Sequence, residues 1–244
     1  VTSPVDQQKN AVRQRIWDLL TQHHATHDEV VHGRIPNFVG AGRATDQLTE
    51  LAVWRSSQVI KAVPDKAQYL ARVTALREGK LVYMAVPKLA AQHPFYLLDP
   101  ANLAVAPEIA ASPTGAAEVA RNVGVDELQP IDVVICGSVA VNRDGARLGK
   151  GAGYADIEVA LLHEAGLITP ATVIVTTVHP LQIVDGDLPE TSHDFRVDLV
   201  VTGEEVIVCG QRRRPPGIIW EDLDPEKIAA IPPLAALAER RGQL

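Results

Sequence analysis

The chain has no apolar run long enough to cross a bilayer, and its first residues are polar and charged rather than signal-like. Cysteine is scarce: Cys136 and Cys209 are the only two, each inside an apolar, strand-like run. Two buried, reduced thiols are expected, which excludes a disulfide framework. No spacing of His, Cys and Asp resembles a zinc site. Positive charge is not in excess either. A formal net charge of −7 over 244 residues argues against generic nucleic-acid binding, so the basic run Gln211-Arg-Arg-Arg-Pro-Pro216 reads as a solvated connector. Internal repeats are absent, and no linker is strong enough to divide the chain, so residues 1–244 are expected to form one domain, with 221–244 as a C-terminal helical extension. Val1 stands where an initiator methionine would, so a longer or processed precursor is expected. These absences leave a cytoplasmic enzyme or binding protein, monomer or homodimer, whose partner is a small molecule rather than nucleic acid or membrane.

What is present is an alternation of helix and strand patterns. Gln7 to Gln22 is an amphipathic helix with Val12, Ile16, Leu19 and Leu20 on one face and Lys9 and Arg13 one turn apart on another. Helices follow over Ala41–Ala52 and Ala67–Glu78, the second stopped by Gly79. Strands are expected over Gln58–Val63 and Lys80–Val86, and His93–Thr114 reads as a long irregular crossover. Ile131–Val141 is a near-continuous apolar run, the mark of a central strand buried on both faces. A helix over Tyr154–Ala165, strands at Ala171–Val178, Leu199–Val201 and Glu205–Val208, and a helix over Asp224–Arg241 interrupted at Pro232-Pro233 complete the pattern. The fold class is α/β, with a sheet sandwiched by helices.

Between the central strand and its helix lies Asn142-Arg-Asp-Gly-Ala-Arg-Leu-Gly-Lys-Gly-Ala-Gly-Tyr-Ala-Asp156. Glycine permits positive φ and close backbone approach, so a stretch that interleaves Arg147 and Lys150 with Gly149, Gly151 and Gly153 can converge N–H groups and positive charge on one anion. It is not a Walker loop, because Gly145 to Lys150 is one residue short and Gly151 stands where the magnesium-binding hydroxyl would be. Nor is it a dinucleotide fingerprint: its glycines are spaced G-x-G-x-G and lie about eight residues beyond the strand.

The stretch does resemble the signature of the 5-formyltetrahydrofolate cyclo-ligase (methenyltetrahydrofolate synthetase) family. Gly137, Arg147, Leu148, Gly149, Lys150, Gly151, Gly153, Tyr154 and Asp156 fall on it without a gap. Lys9 and Arg13 match the family's N-terminal Lys-x-x-x-Arg, and His193-Asp194-Phe-Arg-Val-Asp198 matches its late His-Asp-x-x-x-Asp. Arg34-Ile-Pro-Asn-Phe38, Gly137-Ser-Val-Ala-Val141 and Pro216-Gly-Ile-x-Trp220 resemble the branch of methenyltetrahydrofolate synthetase domain-containing proteins. An appended RNA-binding domain, as some relatives carry, is not expected in this length.

The resemblance implies a three-layer α/β/α sandwich with a mostly parallel central sheet, of CoA-transferase-like architecture. It also implies an ATP- and Mg2+-dependent conversion of 5-formyltetrahydrofolate to 5,10-methenyltetrahydrofolate through phosphorylation of the formyl oxygen. The substrate oxygen is then the nucleophile, so the protein has to supply positioning and charge neutralisation. Carried over by position, Arg147, Lys150 and Tyr154 are the catalytic candidates. Lys9, Arg13, Gly149, Gly151 and Gly153 join them in holding ATP, and Asp156 and Asp194 are the magnesium ligands. Asp156 is equally placed to cap its helix, Asp198 to be structural, and His193 to orient the aspartate beside it. The resemblance thins at Ala62-Val-Pro-Asp-Lys66-Ala-Gln68, where the family's pterin-binding Glu belongs and Lys66 stands, with Asp65 adjacent. Lys66 is therefore the candidate substrate residue, and a donor there disfavours the pterin's amide and amino edge. Three readings stay open: a folate cyclo-ligase, a paralogue that activates another amide or formamide with ATP, and a non-enzymatic nucleotide- or ligand-binding protein.

Overall fold

The structure is a computed structural model that describes residues 3–210, 212–215 and 217–242. Helix α1 (Pro4–Gln22) starts three residues before the expected point, because Ser3 accepts a hydrogen bond from Asp6 N at 3.1 Å and Pro4 occupies the first turn. The next expected helix divides into α2 (Ala41–Thr49) and α3 (Ala52–Ser56). Strand β1 (Val59–Ala62) leads through a short turn into α4 (Tyr69–Arg77), and Gly79 ends that helix at φ +78°. After β2 (Leu81–Ala85), the segment expected to be irregular contains an ordered strand, β3 (Phe95–Leu98), then α5 (Pro107–Ala110) and the start of α6 (Pro113–Val119). Proline and alanine mark helix starts there, not a formless crossover. The edge strand β4 (Arg121–Val123) follows.

The apolar run at Ile131–Val141 is two strands in two sheets. Strand β5 (Val133–Cys136) is fully buried in the main sheet; the chain leaves it at Gly137-Ser138, and β6 (Ala140–Asn142) belongs to a small second sheet. Hydrophobicity is continuous because both strands are buried, so burial alone hides the break. A Cβ on Gly137 would sit 2.7 Å from the Ile35 side chain, which is why the crossing point is glycine. Strand β7 (Arg147–Leu148), α7 (Tyr154–Glu164), β8 (Val173–Thr177), β9 (Ile183–Val184), β10 (Leu199–Val201), β11 (Val206–Val208), α8 (Pro225–Ala229) and α9 (Pro232–Arg241) complete the chain, the last two meeting at the expected proline break.

The main sheet has the order β11-β10-β8-β5-β1-β2-β3-β4. Its five inner strands pair in parallel, and antiparallel strands close both edges. Period-two alternation divides the core: Val133 and Ile135 face Leu48, Trp54 and Leu76 on one side, whereas Val134 and Cys136 face the side holding Leu161, Leu162, Ile228 and Leu234. Helices therefore cover both faces, the three-layer α/β arrangement expected. On β1 the same alternation turns Lys61 toward the α7 face, where it is 1% exposed. The second sheet, β7-β6-β9, packs under α1 through Ile16, Trp17, Val139 and Leu148.

Both cysteines are buried free thiols; burial pushes the Cys209 thiol up to about 11. The basic run is no solvated connector. Arg212 and Arg214 pair with Asp198, Arg213 lies 3.4 Å from Glu190, and Asp198 also accepts a 2.7 Å hydrogen bond from Ile174 N. The run is consumed by the protein's own carboxylates because Asp198 is buried and needs counter-charge. Its end residues Gln211 and Pro216 lie outside the described residues. Among the described residues no helix is long and apolar enough to cross a membrane.

Candidate functional site

In a parallel sheet, side chains from the loops beyond the strands' carboxyl ends converge where the strand order reverses. Here that point lies between β1 and β5, and a cleft of about 640 Å³ opens over it. Val63, Pro64 and Asp65 enter it from beyond β1, Val86 to Leu89 from beyond β2, and Gly137 from beyond β5; α1, the 149–153 segment and the start of α7 close the other side. Lys88 and Leu89 both hold positive φ on this rim, a costly backbone state for residues other than glycine.

The Asn142–Asp156 stretch has two parts with different work. The first is a tight turn in which Asn142 Oδ1 accepts from Asp144 N and Ala146 N, and Gly145 is required because a Cβ would lie 2.2 Å from Val197 O. The second, after β7, is a glycine bend at the mouth of the cleft. Gly151 and Gly153 take positive φ, and Gly153 begins α7 with no side-chain cap, so the first N–H groups of the helix are left for a ligand.

Cations surround this bend. Arg147 is buried, with Nη2 3.1 Å from Gly137 O, Nη1 3.4 Å from Asp156 Oδ1, and its guanidinium 4.5 Å above the Phe195 ring. Among the described residues its buried Nε has no hydrogen-bond partner. Arg13 reaches in from α1, donating from Nε to Gly149 O at 2.7 Å and from Nη1 to Asn10 Oδ1 at 2.6 Å. Burial, and then the nearby Arg147 charge, lower its proton affinity, while Asp194 and Asp156 oppose them. Lys150 stands at the rim, 3.6 Å from Asp65 Oδ1. One turn before Arg13, Lys9 donates to Asp194 Oδ2 at 2.6 Å and to Thr191 Oγ1 at 3.1 Å. Tyr154 carries Lys227 Nζ 3.7 Å above its ring, and the same ammonium donates to Ala152 O at 2.6 Å.

The two candidate magnesium carboxylates face different surroundings. Burial drives the Asp156 carboxyl above its ordinary range; Arg147 opposes this and Asp194 adds to it. Burial also pushes Asp194 upward, but the hydrogen bonds from Lys9 and Thr191 outweigh it and hold the carboxyl low. His193 bonds Thr191 Oγ1 at 3.0 Å, so it orients Asp194 through that hydroxyl. Among the described residues no three His, Cys, Asp or Glu side chains group around one point. Two carboxylates suit a hard cation whose other ligands are phosphate oxygens and water, which is how magnesium accompanies nucleotides.

Of the predicted site residues, Lys9, Arg13, Arg147, Gly149, Lys150, Gly151, Gly153, Tyr154, Asp156 and Asp194 all line the cleft. Lys66 does not. Its side chain is 71% exposed, 3.7 Å from Asp28, and borders a separate depression of about 490 Å³. The turn after β1 points the neighbouring Asp65 into the cleft and Lys66 away from it. Asp65 and Glu158 were missed as cleft residues, as was Lys61 behind them. A signal was present: a lone charge sits inside each of two apolar runs, Val59-Ile-Lys-Ala62 and Ile157-Glu-Val-Ala-Leu-Leu162.

A model of the 5-formyltetrahydrofolate cyclo-ligase family matches residues 5–203. The chain belongs to this family. Methenyltetrahydrofolate synthase domain-containing proteins from Mus musculus and Homo sapiens are 37% and 34% identical over 96% of the chain. The chain spans 64% and 62% of their lengths, less than two thirds. The NMR structure of Aquifex aeolicus 5,10-methenyltetrahydrofolate synthetase aligns with a TM-score of 0.53 at 20% identity, covering 86% of this chain and 95% of that one. At that identity the likeness is one of fold. The family match ends at residue 203, so Lys227, which reaches back to Tyr154 and Ala152, lies beyond it.

Proposed function

We propose that the chain is an ATP- and Mg2+-dependent cyclo-ligase that converts 5-formyltetrahydrofolate to 5,10-methenyltetrahydrofolate. The observation that carries this reading is the convergence of Arg13, Arg147 and Lys150 on a glycine bend that opens into an uncapped helix N-terminus. The formyl oxygen attacks the γ-phosphorus and ADP leaves; the neighbouring N–H nitrogen then attacks the formyl carbon and gives up its proton to the medium, and the oxygen departs with phosphate. No protein nucleophile is required. Arg147 and Lys150 neutralise charge that spreads onto the transferring group, and the bend's amides orient the triphosphate. Asp156 and Asp194 would hold Mg2+, which supplies charge neutralisation between the phosphates.

The test is incubation with ATP, Mg2+ and 5-formyltetrahydrofolate, following the absorbance of the methenyl product. Its appearance, dependent on Lys150, is the expected result. No change with ATP binding intact sinks the folate reading in favour of a paralogue acting on another amide or formamide. The folate reading draws support from the lining of the cleft, because the Lys66 donor that would disfavour the pterin edge stands outside it and two acceptors, Glu158 and Asp65, stand within it. Failure to bind ATP, with Lys150→Ala indistinguishable from the parent chain, would leave a non-enzymatic ligand-binding protein.

A further inference from the structure

The cleft has a second pole. Glu158 projects from α7 into its inner end, only 4% exposed, with Lys61 behind it on β1 and Nζ 2.5 Å from Oε1. Both side chains are buried, and the carboxylate, not the ammonium, lines the cleft. Buried polar atoms in folded proteins are almost always bonded, and a buried ion pair serves stability no better than two packed hydrophobic side chains. A buried ion pair whose carboxylate is turned to a ligand-sized cleft is therefore explained by what enters the cleft. The same cleft is lined by Val63, Ala85, Leu89 and Ile35, apolar surfaces suited to a flat ring, and by a second acceptor, Asp65, whose Oδ1 lies 3.6 Å from Lys150 Nζ.

We infer that Glu158 is a specificity-determining residue that accepts hydrogen bonds from a substrate edge carrying adjacent N–H donors, as in an aminopyrimidinone ring or an amidine. The ligand's donor-rich ring sits at this inner pole, and its reacting group points outward to the cationic bend. The inference rests on the reading of the cleft as the site of a small molecule beside a nucleotide. It places ring recognition on α7 rather than on the turn after β1.

The test uses two flat probes that differ at one position: pterin, with an amino group on its pyrimidine edge, and lumazine, with an oxygen there. Calorimetric titration of the full chain with each, in the presence of Mg2+ and ADP, is expected to show pterin bound roughly tenfold or more tighter. Glu158→Gln should reduce that ratio to near one. The double variant Lys61→Met/Glu158→Leu removes the ion pair without leaving a buried charge, so it should fold, bind ADP normally and show the same loss of preference. Equal affinity for the two probes in the parent chain overturns the inference, as does an undiminished preference in either variant. Absence of ADP binding in the parent chain would instead strike the nucleotide reading, and the pterin-to-lumazine ratio measured without nucleotide would still judge Glu158.

Discussion

The two poles of the cleft are built from the same kind of material, buried charge, to opposite ends. At the outer pole Arg13, Arg147 and Lys150 gather around main-chain amides, and the carboxylates present, Asp156 and Asp194, lie close enough for Asp194 to raise the proton affinity of Asp156. At the inner pole Lys61 lies behind Glu158, and the carboxylates, not the cation, line the cleft. The outer pole is a general device, since any polyphosphate presents the same oxygens. The inner pole is particular, because what a carboxylate among apolar walls accepts depends on the ring offered to it. On the proposed reading the difference separates the energy source from the substrate, and it predicts that the two can be damaged independently.

The sharpest way to break the comparison is to remove charge from the outer pole alone. Arg147→Met keeps side-chain length but deletes the donors, and cyclo-ligase turnover should fall by roughly 10² to 10³-fold, as when one preorganised donor is lost. Circular dichroism should remain that of the parent chain, and the pterin-to-lumazine ratio should be retained. Loss of both affinity and ring preference together would show the poles to be one unit.

Next in size is the Lys9–Asp194 pair, which supports the outer pole from beneath. Lys9→Met leaves a buried carboxylate without its cation, and unfolding by denaturant should show a loss of about 3–5 kcal/mol at neutral pH. The sign of its pH dependence follows from Asp194, whose carboxyl is held below its ordinary value in the folded chain. The stabilisation is fully present above the unfolded value near ~3.9 and disappears as pH falls through the lower, folded one. The gap between parent and variant should therefore close on acidification through that window. A gap constant with pH would mean that Lys9 acts by packing.

How legible each pole was follows from how each is encoded. Anion binding needs glycine where φ is positive and cations within a few residues, so the outer pole is written as a local motif. Gly151, Gly153 and Arg147 could be read from spacing, whereas Lys9 and Arg13 came from the family resemblance, because two cations one helical turn apart are equally what a solvated face shows. The parallel sheet was readable from alternating helix and strand patterns, whereas the division of Ile131–Val141 between two sheets was hidden, since burial makes both halves apolar. The inner pole has no motif. Lys61, Asp65 and Glu158 come from a strand, its following turn and a helix about a hundred residues further on, and only the fold joins them. Asp65 lines the cleft and Lys66 does not, a difference of one position at a turn, where successive side chains point in different directions and sequence periodicity gives no guidance.

A smaller effect should come from Lys227, which reaches the outer pole from α8. Its ammonium joins Ala152 O to the Tyr154 ring and so ties down the backbone of the glycine bend. Lys227→Ala should weaken Mg·ADP affinity by several-fold, the scale of one partly exposed cation–π contact with a charged hydrogen bond. The ring preference should be unmoved. An unchanged nucleotide affinity would show that the bend holds its shape without the C-terminal segment.

The smallest expected effect is the one that most directly sharpens the division of the cleft. Lys66→Glu puts an acidic residue at the position where the family resemblance places ring recognition, yet the side chain is largely in solvent and faces the separate depression. Turnover with 5-formyltetrahydrofolate and the pterin-to-lumazine ratio should both stay within about twofold of the parent chain, as expected for an exposed charge far from desolvated contacts. The chief local consequence is replacement of the attraction to Asp28 by repulsion, which belongs to the 490 Å³ depression and not to the site. A gain of tenfold or more in ring preference would mean that the turn after β1 rotates when ligand binds. Recognition would then return to residue 66, and Glu158 would serve only as the partner of Lys61.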